Sequence, residues 1–282
     1  MNILEARDVQ FEYPDGAKAL TGAFITIKKG EFVGLLGANG CGKSTFFQTF
    51  NGLLKPMAGE IIIKGITIKK WDENQLYKTV GLVFQNPDDQ LFAPTVFEDV
   101  SYGVTNMSLE SDEINRRVEK TLKLLDMWEY RGRPIHCLSY GQKKRVAIAG
   151  ILAMEPELII LDEPMAGLDP MGVSQLMSLL RDIRNKITLS VLISTHDIDL
   201  VPLYCDRVYV MEKGRTVLEG SPNQVFSEVD TIRRTNLRLP RIGHLIEILR
   251  EEDNFEFEEA ALTISQARKL LKQWGKTKIS AS

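Results

Sequence analysis

The sequence predicts an α/β fold with a mainly parallel sheet and an antiparallel edge. Two observations carry this. From residue 157 onward, strand-like and helical runs alternate: ELIILDEP, GVSQLMSLLRDIRNK, LSVLIST, IDLVPLY and the strand pair RVYVMEKGRTVLEG. Earlier, the apolar run before GANGCGKST leads through this Gly-rich loop into a helix, so strand, loop and helix already follow one another in the first 51 residues.

Taken in order, MNILEARDVQFEY alternates polar and apolar residues like a first strand. YPDGAKAL is a turn, and FITIKKGEFVGLLG supplies two apolar segments on either side of Lys29-Gly30. A helix follows from Lys43 to Asn51, and residues 60 to 68, EIIIKGITI, read as a hairpin. YKTVGLVF is β-branched and apolar, a buried strand, and it runs into the turn QNPDDQLF. There Pro87 fixes its own φ, Asp88 and Asp89 are suited to bonding nearby N–H groups, and Leu91 and Phe92 read as an exposed apolar pair. Residues 86 to 157 form a helical insertion, with SDEINRRVEKTLKLLDMW capped by its serine and SYGQKKRVAIAGILAM as a second helix.

The main domain is expected to span residues 1 to 221, with 222 to 282 as a small appendage. In the appendage, RIGHLIEILR places Ile242, Leu245, Ile246 and Leu249 on one helical face. TISQARKLLKQW opens with a capping box from Thr263 to Gln266 and is expected to bury Ile264, Ala267, Leu271 and Trp274.

Composition narrows the function classes. With 35 basic against 38 acidic residues, the net charge is −3, so no global field points to nucleic acid or to an acidic lipid surface. Cys41, Cys137 and Cys205 are odd in number and lack CxxC spacing, which argues against a disulfide framework or zinc site and fits a reducing cytosol. The N-terminal residues lack the regions of a signal peptide, and no apolar run reaches the length of a spanning helix. His136, His196 and His244 are isolated, with no metal-ligand spacing among them.

The chemistry begins in GANGCGKST, residues 37 to 45, which satisfies G-x-x-x-x-G-K-[ST] between a strand and a helix. Gly37, Gly40 and Gly42 let the backbone around Asn39 and Cys41 turn its N–H groups toward phosphate; Lys43 reaches the outer phosphates, Ser44 ligates Mg²⁺, and Thr45 continues the motif. LIILDE, residues 158 to 163, is a buried strand ending in two carboxylates, and buried acids need partners. Beside a phosphate loop, Asp162 would hold the metal and Glu163 would act as general base toward water.

LSYGQKKR, residues 138 to 145, resembles the LSGGQ signature of ATP-binding cassette proteins, and the resemblance extends over residues 1 to 220. It implies a P-loop cassette with a RecA-like core, an antiparallel β subdomain and a helical subdomain, followed by a small α/β appendage. It implies that Tyr13 stacks on adenine, that Gln85 contacts Mg²⁺ and the γ-phosphate, that Asp169 lies in the D-loop AGLD, and that His196 is the switch histidine. Ser139, Gly141 and Gln142 of the signature are expected to meet ATP bound by a second cassette. One P-loop and one signature per chain then require a homodimer or a heterodimer with a related chain. Two residues depart from the family pattern: Tyr140 replaces a glycine of the signature, and Met165 stands where Thr or Ser usually follows DEP. Cys41 leads us to expect that a thiol reagent inhibits ATPase activity and that ATP protects.

Repair and chromosome members of the family separate P-loop and signature by long coiled coils, whereas residues 46 to 137 intervene here without sustained heptads. A soluble clamp on nucleic acid or protein is thereby disfavoured, and an inactive binding module is disfavoured by Lys43, Asp162, Glu163 and His196 all being in place. FQNPDDQLFAPTVFEDVSYG is similar to the Q-loop of energy-coupling factor ATPases, which import vitamins and transition-metal ions. LSYGQKKRVAIAGILAMEP and LRLPRI, residues 237 to 242, resemble the cobalt and nickel branch most. This resemblance implies a peripheral subunit on the cytoplasmic face of the membrane, a transmembrane coupling protein docked in a groove at the Q-loop and helical insertion, a separate substrate-capture membrane protein, and an appendage that holds the dimer. Pro87, Leu91 and Phe92 are expected to face the coupling protein.

Overall fold

The computed structural model describes residues 1–257 and 260–281, with side chains described to residue 275. Strands β1 (Asn2–Glu12) and β2 (Lys18–Lys28) form a long antiparallel pair, and β3 (Phe32–Leu36) runs fully buried into α1 (Lys43–Phe50). β4 (Ala58–Ile63) and β5 (Ile66–Thr67) follow, then α2 (Glu73–Thr79) and β6 (Val80–Val83). The insertion holds α3 (Val96–Thr105), α4 (Ser111–Leu124) and α5 (Tyr140–Ala153). The alternation resumes with β7 (Leu158–Leu161), α6 (Pro170–Ile187), β8 (Ser190–Ser194), α7 (Val201–Tyr204), β9 (Arg207–Glu212) and β10 (Arg215–Gly220). Helices α8 (Pro222–Ser227), α9 (Val229–Arg234), α10 (Arg241–Glu251) and α11 (Ile264–Ala281) complete the chain.

Two sheets result. One is antiparallel in the order β2-β1-β4-β5; the other runs β10-β9-β3-β8-β7-β6, parallel except for the β10 edge. Phe46, Phe47 and Phe50 of α1 fill the core between them, where each is fully buried. Polar side chains also fasten one sheet to the other. The Tyr209 hydroxyl donates to the Thr26 carbonyl at 3.0 Å, and Thr216 Oγ1 accepts from Phe24 N at 3.0 Å and donates to Phe24 O at 2.6 Å.

Local capping chemistry explains where the elements depart from the sequence expectation. The predicted strand YKTVGLVF is a strand only from Val80, because Asp72 accepts the Gln75 N–H at 3.2 Å and starts α2, which carries residues 77 to 79 into a helix. α3 begins with a reciprocal capping box between Thr95 and Glu98. Ser111 is not the cap of α4. It is that helix's first residue, after Glu110, and the start is favoured instead by Asp112 and Glu113, whose carboxylates suit the positive helix end.

The appendage differs more. Among the described residues it holds helices and no strand, which corrects the α/β expectation; Phe255 stacks on Trp274 with ring centroids 4.3 Å apart. The capping box at Thr263 and Gln266 is present. The buried face of α11 is Ala267 and Leu270, whereas Ile264 (75% exposed) and Leu271 (42%) point outward, as does Leu245 (46%) on α10. Val225, Phe226, Ile232 and Leu239 join the main core, and a separate small cluster begins only with Ile246.

Leu91 is core as well, 9% exposed, because the turn at Pro87–Asp89 swings it inward and its N–H bonds the Pro87 carbonyl at 2.9 Å. Phe92 alone of that pair stays out, 66% exposed, edge-on to Tyr102 with ring centroids 4.7 Å apart. Pro87 is buried. Asp99, 8% exposed on α3, accepts the N–H groups of Phe92 at 2.9 Å and Ala93 at 3.0 Å and so fixes this loop on the helical subdomain. Replacing Asp99 by Ala strands two donors, and we expect a loss of about 2 kcal/mol of unfolding free energy, read as a lower urea midpoint.

Candidate functional site

The phosphate loop leaves β3 at Leu36 and enters α1 at Lys43. Gly42 makes that entry with φ +106°, and a Cβ there would lie 2.5 Å from the Ala19 carbonyl oxygen, so the position demands glycine. Lys43 is buried, and its Nζ donates to the carbonyls of Gly37 at 2.8 Å and Ala38 at 3.1 Å while standing 4.0 Å from Glu163 Oε1. Tyr13, in the turn after β1, shares a 2.9 Å hydrogen bond between its hydroxyl and Thr45 Oγ1 and sets its ring edge-on to Phe11. Tyr13, Asn39, Gly40, Ser44, Gln85 and Glu163 all border one cleft of about 620 Å³.

β7 delivers the two carboxylates. Asp162 is buried, and its Oδ1 accepts from Ser194 Oγ at 2.6 Å; the same Ser194 oxygen accepts the Glu163 N–H at 2.8 Å. Glu163 has φ +45°, a left-handed conformation unusual for a residue with a Cβ. Its Oε2 accepts from Gln85 Nε2 at 3.0 Å, and its Oε1 lies 2.5 Å from His196 Nε2. The residues expected from sequence to handle the γ-phosphate therefore converge, with Gln85 and His196 holding the carboxylate from separate loops.

Three polar groups escaped sequence reasoning. Ser194 is the polar end of a buried strand, the signal that could have found it. Gln90 accepts from Phe84 N at 3.1 Å and donates to Ala147 O at 3.0 Å, tying the loop's second glutamine to α5. Lys144 is 4% exposed, and burial pushes its ammonium down to about 8 while the charges of Glu163 and Asp162 pull the other way.

Ser139, Gly141, Gln142 and Asp169 lie elsewhere, around a separate hollow of about 540 Å³ that also touches Gly167. Ser139 and Gln142 form a reciprocal capping box at the start of α5, so the serine oxygen accepts from the Gln142 N–H at 3.3 Å and keeps its own proton for another acceptor. Asp169 caps α6 by accepting the Gly172 N–H at 2.6 Å. These residues form a second face, apart from the chain's own phosphate loop.

The oxygen donors suit Mg²⁺. Ser44, the Asp162 carboxylate and the Gln85 amide are hard ligands, and because Gln85 Nε2 is committed to Glu163, its carbonyl oxygen is the end left for an ion.

Residues 20–166 match the family model described as ABC transporter. With the phosphate loop, the paired carboxylates and the two sheets, this defines an ATP-binding cassette, and the chain belongs to the ABC transporter family, whose cassettes are ATPases. It is 55% identical over 281 residues to the energy-coupling factor transporter ATP-binding protein EcfA of Methanocaldococcus jannaschii, covering 99% of this chain and 100% of that one. It is 53% identical over 274 residues to the energy-coupling factor transporter ATP-binding protein EcfA2 of Clostridium perfringens, covering 96% of each. Among solved structures it is similar to cbiO1 of Clostridium perfringens, described as part of the ABC transporter complex cbiONQ, with a TM-score of 0.74 and 52% identity over 88% of this chain and 99% of that one. It is also similar to the cassette MJ0796 in a dimeric post-hydrolysis state bound to ADP and Pi, with a TM-score of 0.70 and 29% identity over 78% of this chain and 98% of that one.

The Cys41 thiol corrects one expectation. It turns inward, 6% exposed, toward the Gly37 backbone, and burial pushes its pKa up; Cys205 is buried and shifted in the same direction for the same reason. A thiol reagent therefore meets Cys137, which is exposed, before it meets the phosphate loop. We expect one rapidly modified thiol per native chain, absent in Cys137→Ser, with Cys41 and Cys205 reacting only on unfolding, as read by labelling and mass spectrometry.

Proposed function

We propose that this chain is the ATP-binding and hydrolysing subunit of an energy-coupling factor importer. It works on the cytoplasmic face of the cell membrane and drives uptake of a transition-metal ion, cobalt or nickel, through a transmembrane coupling protein, while a separate membrane protein captures the ion. The observation that carries hydrolysis is the grip of Gln85 and His196 on Glu163, beside Lys43. A carboxylate held at both oxygens at the mouth of the phosphate loop is aimed to take a proton from the water that attacks the γ-phosphate. Tyr13 offers its face to adenine, the loop N–H groups from Gly37 to Thr45 cradle phosphate, and Lys43 trades its loop carbonyls for phosphate oxygens. Ser44, Asp162 and Gln85 would hold Mg²⁺, which neutralises charge on the β- and γ-phosphates when bound.

The second face completes the site in a dimer of two copies or of two related chains. Ser139 and the N-terminus of α5 would meet the γ-phosphate of ATP held by the other cassette, a reading supported by the serine hydroxyl and the helix end there. Among the described residues no helix is long and apolar enough to cross a membrane. A groove of about 540 Å³ between α2, α3 and α5 suits a helix of the coupling protein: Phe92, Tyr102 and Tyr77 are exposed on its wall, beside Met107 and Met154. The resemblance of the Q-loop stretch, of LSYGQKKR and of LRLPRI to the metal-importing branch supports the cargo.

Three measurements test this. Glu163→Gln should bind ATP as the wild type does, accumulate as an ATP-bound dimer in gel filtration, and turn over more slowly by about 10²-fold or more; turnover at the wild-type rate would remove Glu163 as the base. Phe92→Ala combined with Tyr102→Ala should weaken assembly with the coupling protein by about tenfold or more, with ATP affinity of the isolated chain unchanged. In the assembled transporter, ATP-dependent uptake of radiolabelled Co²⁺ or Ni²⁺, compared with a labelled vitamin, identifies the cargo.

A further inference from the structure

Three consecutive basic residues of α5 reach three different parts of the cassette. Lys143 Nζ lies 2.6 Å from Asp88 in the Q-loop. Arg145 Nη2 donates to Gln175 of α6 at 2.8 Å. Lys144, between them, points into the protein, and its Nζ donates at 3.0 Å to the carbonyl of Glu163 and at 3.0 Å to that of Pro164. A lysine this deeply buried is rare, and a buried ammonium is tolerated only where fixed dipoles replace its water.

Those dipoles belong to the residue whose position matters most. Glu163 sits at φ +45°, a conformation that costs energy and persists only where its surroundings impose it. Ser194 holds its N–H, and Lys144 holds its carbonyl. Tyr140, one helical turn before Lys144, stands on the same face of α5. Its ring centroid lies 5.4 Å from Lys144 Nζ, and the ring packs so closely on Gly167, at φ +77°, that a Cβ there would come within 2.7 Å of it. The aromatic ring that replaces a glycine in the signature thus roofs the ammonium and clasps the far end of the Glu163–Gly167 segment.

We propose that Lys144 is a positioning residue for the catalytic base: through the Glu163 and Pro164 carbonyls it sets the backbone of Glu163 from the signature helix, with Tyr140 closing the clasp over Gly167. The orientation of α5, which carries the signature, and the aim of the carboxylate are then one mechanical unit. This rests on Glu163 being the base.

The test uses the purified full chain, with phosphate release measured for kcat and KM and a fluorescent ATP analogue for affinity. Lys144→Met keeps the length and removes the ammonium. It should lower kcat by about tenfold or more, leave nucleotide affinity within about twofold, and be rescued to within about threefold of wild type by Lys144→Arg. Lys144→Gln, which keeps a neutral donor, is measured alongside in case the Met variant does not fold; it should also show reduced kcat with unchanged affinity. Wild-type kcat in Met or Gln, a fall in affinity that accompanies the fall in kcat, or an Arg variant as slow as Met would each overturn the proposal. Glu163→Gln in the same series separates the two ideas: wild-type turnover there sinks the base, whereas slow turnover there with fast Lys144→Met sinks only the clasp.

Discussion

The placing of one carboxylate governs this cassette. Glu163 follows a buried strand, bends into a backbone conformation that favours glycine, and carries its charge into a partly closed site. Neither state is stable by itself. Four groups from four segments maintain it: Gln85 after β6, Ser194 at the end of β8, His196 beyond it and Lys144 on α5. The parallel sheet matters because it brings the C-terminal ends of β3, β6, β7 and β8 to one edge, where the loops that bear these groups can meet.

The same constraint explains why the insertion is anchored so heavily to the Q-loop. Lys143 pairs with Asp88, Gln90 bonds Ala147, and Asp99 holds the N–H groups of Phe92 and Ala93. Individually the exposed Lys143–Asp88 pair contributes little. Together with three bonds to part-buried backbone, it makes residues 85 to 93 a strap with one end at Glu163 and the other at the exposed Phe92–Tyr102 pair.

What was legible in the sequence was whatever chemistry is encoded contiguously. GANGCGKST reads as a tight Gly-rich turn into a helix from its own residues, and Gly42 makes that entry at φ +106°. LIILDE must bury its strand and leave its acids at the end. Side-chain direction after a turn was not legible: Leu91 and Phe92 are adjacent and equally apolar, and only the inward swing of the turn at Pro87–Asp89 sends one to the core and the other to solvent. The same holds on α11, where Ala267 and Leu270 rather than Ile264 and Leu271 meet α10, a choice made by helix docking and not by periodicity. Short caps won where propensity pointed elsewhere, as Asp72 did in carrying Tyr77 to Thr79 into a helix.

Lys144 marks the limit of reading by composition. In SYGQKKRVAIAG three cations in a row look like a solvated helix face, yet Lys143 and Arg145 are half-buried, paired with Asp88 and Asp126. A helix turns about 100° per residue, so three neighbours cannot share one face. With Lys143 and Arg145 splayed to the flanks, Lys144 is directed at whatever the helix packs on, and here that is the backbone of Glu163 and Pro164. A charge in that place is costly unless carbonyl dipoles are already aimed at it, and the left-handed turn at Glu163 is what aims them. The strained backbone and the buried cation each need the other, which is why neither could be inferred from its own stretch of sequence.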